Sequence, residues 1–114
     1  MNNNGNGAFA VKNGTTEMNP TELCDALNDE TNFTFQDIPA VCRLSNRPDL
    51  CALMLLDSLV PGTRDIVAAA EHEEIFLRVT IEQLAPVITR EQVRALLCCG
   101  VRLDSETDSL AMFV

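Results

Sequence analysis

Among the side chains able to do chemistry, the chain holds one histidine, His72, set between Glu71 and the pair Glu73 and Glu74. A hydrolytic triad needs an imidazole oriented by an acid and placed beside a nucleophile. No serine in an elbow motif and no glycine-rich phosphate loop accompanies this histidine. The three glutamates could close on a hard cation, but calcium loops space their ligands at alternate positions and turn on a glycine, which is missing here. The segment reads as a solvated acidic turn.

Five cysteines, Cys24, Cys42, Cys51, Cys98 and Cys99, offer thiol chemistry. Zinc needs Cys and His pairs at ligand spacing, and there is no CxxC and only one histidine. Cys98 and Cys99 are adjacent, so on a helix their side chains diverge by about 100°. Apolar neighbours raise a thiol pKa and remove the nucleophilic thiolate. An odd number of cysteines in such surroundings predicts reduced, buried thiols in a reducing cytoplasm. No enzyme activity, metal or cofactor is expected.

Three arginines, Arg90, Arg94 and Arg102, suggest phosphate contact, with Arg90 and Arg94 spaced to share one helix face. Residues 80–103 carry these three against Glu82 and Glu91, a local charge of +1. The whole chain of 114 residues carries 17 acidic and 8 basic side chains, a formal charge of −9. A nucleic-acid reader neutralises several phosphates, and an anionic lipid surface likewise demands clustered Lys and Arg. With no Trp, no Tyr and five Phe, a stacking platform for bases is not expected either.

The elements that must position these residues begin after an arm. Residues 1–18 contain three of the five glycines and a run of asparagines, which predicts a flexible arm, with 8–11 a candidate short strand carrying Phe9. No secretory signal or membrane span is expected, since the longest apolar run is 50–56. Residues 19–114 then read as a single globular α+β domain, mostly helical with a short antiparallel sheet.

Asn19-Pro20-Thr21-Glu22 opens a short helix with a cap, a first-position proline and a capping-box glutamate. Asp37 is expected to cap a second short helix through Val41, Cys42 and Leu44, ending before Pro48. Residues 48–59 give the strongest helix, apolar over most of its circumference and therefore expected at the centre of the core. Residues 63–72 fit a helix or a strand, and 74–79 read as a strand, with one continuous helix over 63–84 as the rival. Thr80-Ile81-Glu82-Gln83 and Thr89-Arg90-Glu91-Gln92 are capping boxes for two helices, with Pro86 limiting the first and Gly100 ending the second. Residues 101–103 and 110–114 make a hairpin across a polar loop.

From residue 48 onward this order resembles a winged helix-turn-helix, the second of the close helices being the reading helix and the terminal hairpin the wing. The resemblance implies DNA contacts from Arg90, Arg94 and Arg102. Against it stand Asp104, Glu106 and Asp108 in the would-be wing.

Acidity without chemistry points first to a cytoplasmic protein-binding module, a regulator or inhibitor of a protein with a basic surface, such as a nucleic-acid groove. Its expected contact residues are Glu71, Glu73, Glu74, Asp104, Glu106 and Asp108. The profile resembles, as an analogy of type, that of small acidic inhibitors encoded by phages. A DNA-binding transcriptional regulator is the second expectation. A homo-oligomer built by edge pairing of residues 110–114 is the third.

Overall fold

Three helices of the protein start on the same device, which the sequence spells out each time. The computed structural model describes residues 18–29, 31–104 and 106–113. Helix α1, Pro20–Leu27, begins where Asn19 accepts the Glu22 N–H at 2.8 Å and Glu22 accepts the Asn19 N–H at 2.9 Å. Helix α2 is Pro48–Leu59, and α3 is the single turn Ile81–Leu84. Helix α4 is Arg90–Cys98. Thr80 with Gln83 and Thr89 with Gln92 close reciprocal boxes on α3 and α4 with bonds of 2.9 to 3.1 Å. Each box satisfies two amides that a helix start would otherwise leave unpaired. Gly100 ends α4 with φ 91°, a left-handed conformation that glycine alone takes at little steric cost.

Among the described residues four strands form one antiparallel sheet: β1 Val67–Glu71, β2 Glu74–Leu77, β3 Val101–Asp104 and β4 Ser109–Phe113, in the order β1-β2-β4-β3. Within the segment 63–72, which fitted helix or strand, residues Val67–Glu71 are thus the first arm of a hairpin. Its alanines favour a helix, but pairing with β2 overrides so weak a preference. The turn is His72-Glu73, with His72 at φ 54°. Because β4 pairs with β2 on one side and β3 on the other, it is an inner strand. The expected edge at residues 110–114 is therefore corrected: the edges are β1 and β3, and Val114 lies outside the described residues.

Strand alternation gives the sheet two unlike faces. Ile75, Leu77, Val101, Leu103, Leu110 and Met112 join the core side. Glu74, Phe76, Arg102, Asp104, Ala111 and Phe113 occupy the other. On the core side α4 takes the central place, packing on α1, α2, β3 and a 3₁₀ turn, Phe35–Asp37. Leu23, Leu56, Leu84, Ile88 and Leu96 are fully buried there.

Helix α2 is not the centre of the core. Cys51, Ala52, Leu55 and Leu56 are buried, while Leu50 and Met54 are exposed. One stripe of α2 is fully covered, on the side that packs on α4; Leu53 and Leu59 are partly covered against the core, and Leu50 and Met54 remain outside. The expected helix after Asp37 is also replaced, by two 3₁₀ turns, Phe35–Asp37 and Ala40–Cys42. The Asp37 carboxylate caps backwards, accepting the Thr34 N–H at 2.8 Å, and Pro39 biases Ile38 away from helical geometry. Val41 and Leu44 stay exposed. The arm expected over residues 1–18 loses its last residue to the domain, since Met18 is buried in the core. The rest of it, including the candidate strand 8–11 and Phe9, lies outside the described residues.

Candidate partner-binding surface

The outer face of the sheet is organised by Arg102. Its guanidinium is ion-paired with Glu74, lies 3.9 Å from the Asp104 carboxylate and stacks over the Phe113 ring at 4.8 Å from the centroid. Ala111, opposite Arg102 on β4, is small enough for the arginine to reach across it to β2. Phe113 is nevertheless 66% exposed. It lines a shallow concavity together with Glu71, His72, Glu73 and Glu74 of the β1–β2 turn. The arrangement is an aromatic side chain rimmed by carboxylates.

The six acids predicted from the sequence do not form one surface. Glu74 sits opposite Phe113 and Asp104 opposite Ser109, so the two acidic turns lie at opposite ends of β4, about 13 Å apart at the usual rise of a strand. The structure brings Glu71, Glu73 and Glu74 together beside Phe113. Asp104 joins them only through Arg102, and its other oxygen accepts the Thr107 hydroxyl at 2.6 Å. Glu106 is exposed in the far turn. Asp108, at φ 54°, lines a separate groove with Asp25 and Glu82. Burial, then Asp108, Asp25 and Glu82 in turn, push the Cys24 thiol up.

The three arginines are divided as well. Arg90 and Arg94 line a groove on α4 with Ala26, Asp29, Phe33 and Leu97, and Arg94 lies over the Phe33 ring at 5.0 Å. The Thr31 N–H holds the Asp29 carboxyl below its usual range, with a smaller contribution from Arg94. Asp37 is lowered likewise by Thr34, and again slightly by Arg94. Arg94 therefore stands among acids. Arg102 is on the far face of the sheet, engaged by Glu74 and Asp104.

Cys42, Cys51, Cys98 and Cys99 are buried, and the Cys51 thiol donates to the Cys42 carbonyl at 3.2 Å. Burial pushes the Cys99 thiol up to about 12 and raises Cys42 and Cys98 too, so these three are neutral thiols at neutral pH. Among the described residues no group of three or more His, Cys, Asp or Glu side chains could hold a metal ion, and no helix is long and apolar enough to cross a membrane.

Sequence reasoning missed Phe113, which reads as the end of an apolar strand. Alternation with the inward-facing Leu110 and Met112 carries the signal that it faces outward. Asp25 and Glu82 were missed because their approach to Asp108 joins elements far apart in the chain. Compared with protein-family profiles, with curated proteins and with solved structures, the chain matches none.

Proposed function

We propose that the protein is a non-enzymatic protein-binding module, a cytoplasmic regulator or inhibitor whose partner presents a basic surface. The observation that carries this reading is Phe113, exposed within the rim of Glu71, Glu73 and Glu74. Interfaces draw most of their energy from a few central anchors, aromatic ones prominent among them. Surrounding charge chiefly steers the approach and selects the partner. A formal charge of −9 attracts a basic protein and repels phosphate backbones. The likeness in type to small phage-encoded inhibitors agrees with this reading but does not identify the partner.

Affinity capture from the native host, with and without nuclease, tests the proposal. A protein that remains bound after nuclease, leaves as salt rises and is lost with Phe113→Ala or with Glu71→Lys/Glu73→Lys supports it. Capture abolished by nuclease, or indifferent to both variants, refutes it.

A second reading, a winged-helix DNA regulator, draws support from the succession α2, β1–β2, α3, α4, β3–β4, in which β2 joins the terminal hairpin. It would use Arg90 and Arg94, since Arg102 is already paired. Selection from random duplexes tests it: a specific duplex lost with Arg94→Ala favours it, and the absence of any selected sequence removes it.

A further inference from the structure

One row of side chains crosses the outer face of the sheet at its turn end. Glu71 is paired with Glu74, and Glu74 with Phe113, so the three share a face on β1, β2 and β4. Arg102 reaches this row from β3, ion-paired with Glu74 and stacked on the Phe113 ring at 4.8 Å. Beyond the row lie the turn residues His72 and Glu73, which line the concavity together with Glu71, Glu74 and Phe113. Arg102 does not line it, so the concavity meets the exposed ring on the side away from that guanidinium.

Charge in the concavity has one sign. Glu74 is engaged by Arg102. Glu71 and Glu73 are exposed and have no ion-pair partner among the described residues. Arg78 is turned back onto the Asp65 carbonyl at 2.7 Å, and Arg64 precedes β1 at the end far from the turn. A cation brought by another molecule therefore meets two uncompensated carboxylates beside an aromatic ring.

The ring decides which cation fits best. Both faces of an aromatic ring carry the negative part of its quadrupole, and here one face already holds a guanidinium next to a glutamate. A second guanidinium can lie flat on the other side while its in-plane donors reach carboxylates at the rim. An ammonium is a compact, strongly hydrated charge that pairs with carboxylates but does not stack. A hard divalent ion gains nothing from the ring, and the acids do not converge as metal ligands.

We propose that the concavity beside Phe113 is a subsite for an arginine side chain displayed by the partner, its guanidinium stacked on the free side of the ring and paired with Glu71 and Glu73. The inference rests on the proposed protein-binding function and narrows the partner from a basic surface to one that presents arginine in preference to lysine. Arg102 is the internal counterpart of the contact, made on the same ring with a glutamate of the same row.

A magnetic-resonance titration of the full chain at low salt is the test, with acetyl-Gly-Arg-Gly-amide and acetyl-Gly-Lys-Gly-amide as the probes. The Phe113 ring and the amides of residues 71–74 should shift, and the arginine peptide should bind about fivefold more tightly than the lysine peptide. Phe113→Leu keeps an apolar side chain and should bring the arginine peptide down to the level of the lysine one. Glu71→Gln/Glu73→Gln should weaken both peptides alike. Equal affinities in the wild type, no shift at the highest peptide concentration, an arginine preference that survives Phe113→Leu, or shifts that gather instead at Asp25, Glu82 and Asp108 would each overturn the proposal. The proposed function fails separately. A captured partner indifferent to Phe113→Ala refutes that function while an arginine-selective subsite stands, and a partner that needs Phe113 while the arginine peptide is ignored overturns the subsite alone.

Discussion

Replacing Arg102 with methionine removes the charge at the centre of the outer face while keeping most of the stem that packs over Ala111 and Phe113. The side chains of Arg102 and Glu74 are 36% and 20% exposed, so their ion pair is shielded more than a free surface pair. The upper part of the range for surface pairs, about 1 kcal/mol, applies. Stacking on Phe113 contributes about 0.5 to 1 kcal/mol at an exposed site. The Asp104 contact, at 3.9 Å, adds little. Arg102→Met should therefore cost about 1–2 kcal/mol, and at about 4–8 °C per kcal/mol for a domain near 100 residues the melting temperature should fall by roughly 5–15 °C. Thermal and urea unfolding at low and high salt provide the assay. The ionic part of the loss should shrink at high salt, because screening weakens the pair in the wild type alone. A double-mutant cycle with Glu74→Gln should show a coupling of roughly 1 kcal/mol. An unchanged melting temperature in a variant with native circular dichroism would refute the reasoning and release Arg102 for other duties.

Asp37 is held below its ordinary value of 3.8 chiefly by the Thr34 N–H, so its contribution is complete above the unfolded pKa and is lost as pH falls through the lower folded value. Asp37→Asn should flatten the fall of urea stability below about pH 4. Under native conditions at pH 8 a thiol reagent should label Cys24 first, as the one half-buried cysteine, whereas all five should react in urea; rapid native labelling of Cys99 would contradict its burial. Gly100→Ala meets open space but must adopt φ 91°, and should cost about 1–2 kcal/mol in urea unfolding. Thr89→Ala, which removes a box that starts α4, should cost about 1 kcal/mol by the same measurement.

The helix starts were legible because capping is local: Asn19, Thr80 and Thr89 each meet a partner three residues on. Gly100 was legible for the same reason. The position of α2 was not, because the number of apolar residues on a helix says how much surface wants cover and not how much cover the rest of the chain supplies. Leu50 and Met54 show the shortfall. Asp37 was misassigned because two backbone segments compete for one carboxylate, and the upstream one, at Thr34, wins. The inner position of β4 depends on pairing between Glu74 and Phe113, 39 positions apart, which no local pattern records. That same pairing splits the acidic turns and puts Phe113 beside only one of them. The acidic character of the candidate surface was therefore readable from the sequence, and its aromatic centre was not.

The most direct measurement is the affinity of the captured partner for wild-type protein and for Phe113→Ala, taken over a series of salt concentrations. An anchor of this kind predicts a loss of more than 1 kcal/mol, about tenfold or more in Kd, at every salt concentration, together with binding that weakens as salt rises in both proteins. Equal affinities for the two proteins, with the loss appearing instead in Arg94→Ala, would contradict the account and move the working surface to α4.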